Sequence, residues 1–186
     1  MIEFKPIGPF KLPVSHMPRG GKRLSESVQA TNGLLKTEFW KDASNSAAKF
    51  GISNLAKAKG IYVFGLKVGR GFTPYYVGKT GKQTLATEPF TAGKLVQYNE
   101  CLGKWKGTPV MFFLPLPVKK GPDNQNVIAN AERFLIELAF AKNPTALLNK
   151  KHAKTPTWSI RGVLRTKGKG APTTDARTFK AMMGLC

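Results

Sequence analysis

The chain has 186 residues, with 30 Lys and Arg against 10 Asp and Glu, and a formal charge of +20 at neutral pH. Hydrophobic residues make up 41% of it, which is enough to build a core and excludes a wholly disordered chain. A strongly cationic surface attracts polyanions, because each phosphate that it neutralises releases condensed counterions. Nucleic acid is therefore the expected partner.

The sequence lacks the features of membrane and secreted proteins. The longest apolar run, Val110 to Leu114, is far shorter than the roughly 20 residues of a membrane-spanning helix. The first residues show neither the apolar core nor the cleavage site typical of a secretory signal, and Cys101 and Cys186 are too few for a disulfide scaffold or a Cys-based zinc site. We expect an intracellular protein, cytoplasmic or nucleoid-associated, without a membrane partner.

Residues 1–59 are expected to form a basic N-terminal extension. Its early prolines remove backbone donors, so the first 25 residues should be extended or irregular, with one edge strand around Phe4 or Phe10. From Ser25 to about Lys49 the composition favours a helix, interrupted near Asn32-Gly33.

Residues 60–149 have a different pattern. Ile61 to Val68 is β-branched and aromatic at successive positions, which predicts a strand covered on both faces. Gly69 to Pro74 supplies turn chemistry, and Tyr75 to Lys79 reads as the returning strand. We expect an antiparallel hairpin with a long, basic tip.

Further along, helices are predicted over Thr91–Leu102, Asp123–Lys142 and Thr174–Met183, and a third strand over Pro109–Leu114. This order predicts an α+β fold with a small central antiparallel three-stranded sheet flanked by helices, preceded and followed by extensions.

Glu132 stands out on the helix predicted over 123–142. The apolar residues expected on the core side of this helix are Val127, Ile128, Ala131, Phe134, Leu135 and Leu138. On a helical wheel Glu132 falls at the edge of that stripe, facing the seam between helix and sheet. A carboxylate there requires a partner, either a salt-bridging Lys or Arg or a metal ion.

Residues 150–186 form a basic C-terminal extension with a short helix. It is either a phosphate-contacting segment that binds nucleic acid or a solvated basic tail. The candidate nucleic-acid-binding residues are Lys150, Lys151, Lys154, Arg161, Arg165, Lys167 and Lys169.

An ordered set of motifs spans residues 60–149. Gly60-Ile61-Tyr62 is followed, after thirteen residues, by Tyr76-Val77-Gly78, and then by a helix, a strand and the helix with Glu132. Asn149 follows that helix. This set resembles the GIY-YIG nuclease superfamily, and the resemblance implies a GIY-YIG-like nuclease core.

The resemblance also implies residue roles. Tyr62 matches the tyrosine that takes a proton from the attacking water, and Tyr76 matches a second tyrosine of the same site. Glu132 matches the metal-binding glutamate, and Asn149 matches an asparagine that supports the site.

The family has an Arg on its first helix, followed four residues later by His or Tyr, and here the matching pair is Lys94 and Tyr98. Lys lacks the planar fork with which Arg binds phosphate, so this departure weakens the expectation of full activity. Lys67, Arg70 and Lys79 are further candidates for contacting the phosphate, and Lys79 is favoured because it follows the second motif directly.

Phosphodiester hydrolysis requires a nucleophilic water and positive charge over the developing phosphorane. The acidic residues of 60–149 are scattered, which disfavours a two-metal centre. One Mg²⁺ or Mn²⁺ ion on Glu132 is the expected cofactor. Because the ordinary pKa of Tyr is about 10, the ion or nearby Lys residues would have to lower the pKa of Tyr62.

The sequence thus predicts a metal-dependent endonuclease that hydrolyses DNA, with duplex favoured and RNA not excluded. Two alternatives to the endonuclease remain open. One is a catalytically weak or inactive nucleic-acid-binding protein on the same fold. The other is a basic RNA-associated or ribosome-associated protein.

Overall fold

The computed structural model describes residues 2–19, 23–28, 37–117, 125–149 and 173–183. Their fold is α+β, as expected, with a four-stranded and a two-stranded antiparallel sheet. The strands are β1 (Ile7–Lys11), β2 (Val14–Arg19), β3 (Arg23–Val28), β4 (Gly60–Val68), β5 (Gly71–Lys79) and β6 (Thr108–Pro115). The helices are α1 (Thr37–Ala48), α2 (Ala92–Lys104), α3 (Gln125–Lys142) and α4 (Thr174–Met182), and a 3₁₀ turn at Glu88–Phe90 precedes α2.

The central sheet has the strand order β1-β6-β4-β5. The expectation of three strands is therefore wrong by one. The fourth is β1, which pairs with β6 in the register Ile7 with Phe113 and Lys11 with Val110. The N-terminal segment thus supplies the edge strand expected near Phe10, and it uses that strand to extend the core sheet.

The β4–β5 hairpin has a short turn rather than the expected long tip. Val68 pairs with Gly71, so only Gly69 and Arg70 lie between the strands, and Gly69 has a φ of 57°. The register shifts between Phe64 and Gly65, and this bulge lets the edge strand β5 accommodate Pro74. The residues after Gly71 therefore belong to the strand, although their composition is typical of a turn.

Both faces of the central sheet are covered. On one face, Tyr62, Phe64 and Leu66 of β4 pack in a core that includes α1 and α2. On the other face, Ile61 and Val77 pack against α3. The expectation that β4 is buried on both sides is confirmed from Gly60 to Leu66, although Val63 is only partly buried.

The expected helix from Ser25 to Lys49 is only partly present. Arg23–Val28 is a strand that pairs with β2, and the helix begins at Thr37. Pairing with a neighbouring strand has overridden the local helix preference here. The expected interruption at Asn32-Gly33 lies outside the described residues.

The buried face of α3 matches the expected one in part. Ile128 is buried, and Ala131 and Leu135 pack partly buried against the same core, as expected. Phe134 and Leu138 are instead 61% and 42% exposed, and Ile136 and Phe140 are buried. Ile128, Ile136 and Phe140 are spaced by multiples of four residues, and Glu132 occupies the remaining position in that series. Glu132 therefore lies on the sheet-facing side of α3 rather than at its edge.

No helix among the described residues is long and apolar enough to cross a membrane. The strand over Pro109–Leu114 and the helices predicted to start at Thr91 and Thr174 are confirmed within two residues at each end. The candidate nucleic-acid-binding residues at 150–169 lie outside the described residues.

Candidate active site

Tyr62 and Gly78 face each other across the β4–β5 hairpin. A Cβ at Gly78 would lie 2.5 Å from both Cζ and the hydroxyl oxygen of Tyr62. The Tyr62 ring therefore crosses the space that a side chain at 78 would fill, and it extends over β5. The glycine of the second motif is needed because the tyrosine of the first occupies its side-chain position.

Three tyrosines form one aromatic cluster. The rings of Tyr62 and Tyr76 are nearly parallel, with centroids 6.1 Å apart. Tyr98 of α2 meets Tyr76 edge-on at 6.0 Å and stacks on Phe64 at 4.2 Å. The structure thus brings together all three tyrosines that the sequence singled out.

Lys94 joins this cluster. Its Nζ donates a hydrogen bond to the hydroxyl oxygen of Tyr76 and lies 4.5 Å from the centroid of the same ring. Lys94 and Tyr98 lie one helical turn apart on α2, which turns both side chains toward β5. A cation is therefore present among the tyrosines, although it is an ammonium rather than a guanidinium group.

The Tyr98 hydroxyl is fully buried and has no hydrogen-bond partner among the described residues. Burial raises the pKa of Tyr98 well above its ordinary value, and the neighbouring Tyr76 and Glu88 raise it further. Tyr98 is therefore a neutral phenol at physiological pH.

Glu132 is close enough to Tyr62 for its charge to act on the phenol. The pKa of Tyr62 is raised mainly by burial, next by Tyr98 and Tyr76, and then by two carboxylates. Those carboxylates are Glu88 and Glu132. In the protein alone Tyr62 is therefore protonated, so accepting a proton from water would require a cation beside its hydroxyl.

Glu88 is a residue of this site that the sequence did not single out. It lies in the 3₁₀ turn before α2, and its charge acts on both Tyr62 and Tyr98. The pattern offered no signal for it beyond its being one of the few acidic residues between 60 and 149.

Asn149 holds the free edge of β5. The Val77 N–H donates to Asn149 Oδ1 at 3.2 Å, and Asn149 Nδ2 donates to the Val77 carbonyl. The Leu148 N–H donates to the Tyr75 carbonyl at 2.7 Å. The segment after α3 therefore satisfies the outward-facing backbone groups of β5 on both sides of Tyr76.

Thr80 fixes the open end of the β4–β5 hairpin, opposite the turn. Its fully buried hydroxyl accepts a hydrogen bond from the Gly60 N–H at 2.9 Å, and its own N–H donates to the Gly60 carbonyl. A Cβ at Gly60 would lie 2.3 Å from the Leu114 carbonyl oxygen, so only glycine fits between β5 and β6. These contacts hold the register that places Tyr62 opposite Gly78.

The three further cation candidates divide between the ends of the hairpin. Lys79 is partly buried and pairs with Ile61, next to Tyr62. Lys67 and Arg70 lie near the turn, and Lys67 is about 17 Å along β4 from Tyr62 at about 3.4 Å per residue. Lys67 and Arg70 therefore do not flank the tyrosine cluster.

The described residues contain no group of three or more His, Cys, Asp or Glu side chains that could hold a metal ion. A resident ion would take few ligands from the protein and keep several waters. Mg²⁺ is commonly held by one or two carboxylates in this way. The oxygen donor of Glu132 fits such an ion.

Comparisons with protein families, with curated proteins and with solved structures find no match for this chain.

Proposed function

We propose that the protein is a metal-dependent endonuclease that hydrolyses phosphodiester bonds in DNA by a GIY-YIG-type mechanism. The observation that carries this proposal is the convergence of Tyr62, Tyr76, Lys94 and Tyr98 at the β5 edge, within range of the Glu132 charge. The +20 charge supports a polyanionic substrate.

Each side chain has a distinct task in this mechanism. Lys94 neutralises a phosphate oxygen while it holds the Tyr76 hydroxyl, which fixes the orientation of that ring. Tyr62 holds the attacking water through its hydroxyl. The phenol first releases its own proton to solvent, and the phenolate then accepts the proton of that water as the water attacks phosphorus. The P–O bond to the leaving oxygen breaks in the same step, and that oxygen takes a proton from solvent. Tyr98 supports the Tyr76 ring, which it meets edge-on.

Glu132 would hold a Mg²⁺ or Mn²⁺ ion. Such an ion supplies Lewis-acid stabilisation of the charge that develops on the phosphate. Asn149 acts through Val77 by holding the strand that carries Tyr76, and is therefore a positioning residue.

The test is cleavage of supercoiled plasmid DNA by the purified protein with Mg²⁺. We expect nicked or linear products, which a chelator abolishes. Glu132→Ala should bind the plasmid without cutting it. Tyr62→Phe should cut at least about 100-fold more slowly, the usual contribution of a positioned proton acceptor.

Glu137→Ala is the matched control, because Glu137 lies on the same helix but is exposed. It should cut as fast as the wild type. Cleavage by Glu132→Ala at the wild-type rate, or cleavage that persists in excess chelator, would contradict the proposal.

Two observations favour a second candidate, a nucleic-acid-binding protein on this fold that cuts weakly or not at all. Lys94 contacts Tyr76 rather than Tyr62, and burial and nearby carboxylates raise the pKa of Tyr62. This candidate predicts salt-dependent DNA binding, no products with Mg²⁺ or Mn²⁺, and unchanged binding by Tyr62→Phe.

A further inference from the structure

An exposed aromatic ring lies near the turn end of the central sheet and contacts a second, half-buried one. Phe72 of β5 is 41% exposed, and its ring meets the half-buried Phe112 of β6 edge-on at a centroid distance of 6.0 Å. Lys67 of β4 extends over the Phe72 ring, with Nζ 5.8 Å from the centroid. We call Phe72, Phe112 and Lys67 the aromatic platform.

The strand register puts these three side chains on one face of the sheet. Lys67 pairs with Phe72. Phe112 pairs with Val63, which lies four residues before Lys67 on β4 and therefore on the same face. The same face is covered by α3 near Ile61 and Val77. Phe112 is level with Val77 but lies two strands away on β6, whereas Lys67 and Phe72 lie toward the turn. The platform therefore borders the core that packs against α3.

The strands that carry the platform have charge of one sign. None of the four strands of the central sheet contains an acidic residue. Arg70 lies in the adjoining turn and is exposed. Lys11 is exposed on β1 and shares the face, because it pairs with Val110, two residues before Phe112. Cations therefore lie on two sides of the exposed rings.

Exposed aromatic rings bordered by cations match the chemistry of an unpaired nucleic-acid strand. Each base has a flat π-face that stacks on an aromatic ring, and the backbone phosphates between bases are neutralised by Lys and Arg. Paired bases inside a duplex do not offer their faces in this way. A protein partner would have to be acidic to match the same border, and it would leave the stacking geometry unused.

We propose that the aromatic platform binds single-stranded DNA by stacking a base on Phe72, with Lys67, Arg70 and Lys11 contacting the flanking phosphates. The choice of DNA rests on the proposed function. The platform is separate from the tyrosine cluster, so it binds an unpaired segment of the substrate and takes no part in the cleavage step.

The test is binding of a fluorescent oligothymidylate, measured by anisotropy in a chelator so that no cleavage occurs. Phe72→Ala should weaken binding about 5- to 150-fold, the range found when one base-stacking ring is lost. Phe72→Tyr should bind as the wild type does, because the stacking face is kept. Phe134→Ala, which removes an equally large exposed ring from α3, should have no effect.

The salt dependence separates stacking from charge. Phe72→Ala should leave the slope of log K against log salt unchanged, whereas Lys67→Ala or Arg70→Ala should reduce it by about 0.7. An abasic oligonucleotide should bind wild type and Phe72→Ala equally.

Equal binding by Phe72→Ala and wild type would overturn the proposal, and so would equal losses in Phe72→Ala and Phe134→Ala. Tighter binding of the matching RNA than of DNA would overturn the choice of DNA. The binding assay involves no cleavage, so a failure to cut plasmid DNA would contradict the proposed nuclease without affecting the binding result. Equal binding by Phe72→Ala and wild type would contradict the platform without affecting the proposed nuclease.

Discussion

Gly78 decides where the Tyr62 ring can lie. The ring crosses the space where a Cβ would be, so a methyl group at 78 must displace either the phenol or the strand. The neighbouring rings of Tyr76 and Tyr98 are buried and leave little room for that shift. The glycine is therefore a packing requirement of the tyrosine cluster.

We expect Gly78→Ala to lower the free energy of unfolding by about 1–3 kcal/mol, the usual cost of overpacking, and to impair any activity that depends on Tyr62. Urea unfolding of the purified variant measures the stability change. Gly81→Ala is the control, because a Cβ there meets no atom within 4 Å, and it should change stability by less than about 0.5 kcal/mol. Equal stability of the two variants would contradict this account of Gly78.

At the scale of elements, the packing of α3 against β5 brings the Glu132 charge within range of Tyr62. The helix is long and apolar at many positions, and only its packing against the sheet selects the face that carries Glu132. The segment after the helix then returns along β5, where Asn143 Nδ2 donates to the Pro74 carbonyl at 2.9 Å and Asn149 binds Val77. These hydrogen bonds satisfy backbone groups along the outer edge of β5.

Asn149→Ala should lower the free energy of unfolding by about 1–3 kcal/mol, because the N–H and carbonyl of Val77 lose their partners at a partly buried edge. If the protein cuts DNA, the variant should also cut more slowly with unchanged DNA affinity. Asn54→Ala removes an amide oxygen that accepts from the Lys57 N–H in an exposed turn, so it should change stability less. Equal changes in the two variants would show that Asn149 does not support the edge.

At the scale of the whole molecule, buried titratable groups set the response of the fold to alkali. Burial raises the pKa of Cys101 from 9.0 to about 12, although the nearby Lys104 lowers it in part. The pKa of the phenol Tyr62 is also raised, mainly by burial. Both groups are neutral in the folded and unfolded states at pH 7, so neither affects the pH dependence there.

We expect stability to fall as the pH rises above about 9. In that range the unfolded state releases the Cys101 proton while the folded state keeps it, so the free energy of unfolding decreases by up to about 1.4 kcal/mol per pH unit. Cys101→Ala should flatten this decrease up to the folded pKa of about 12. Urea unfolding of both proteins at a series of pH values measures it. Parallel curves for wild type and Cys101→Ala in the alkaline range would contradict the expectation.

The sequence by itself determined the hairpin, the α+β class, the order of helices and strands from β4 to α3, and the excess of basic over acidic residues. These depend on local periodicity and composition, which survive without tertiary information. Large residues at successive positions in β4, for example, predict a strand buried on both sides whatever packs against it.

Tertiary structure decided what local pattern leaves open. Ile7–Lys11 became the fourth strand because β6 had a free edge, and Arg23–Val28 became a strand because β2 pairs with it. The buried face of α3 was ambiguous, since apolar residues occur around most of the helix. Packing on β5 selected the face that carries Glu132. The extended conformation of β4 keeps Lys67, and with it the turn residue Arg70, away from the tyrosine cluster.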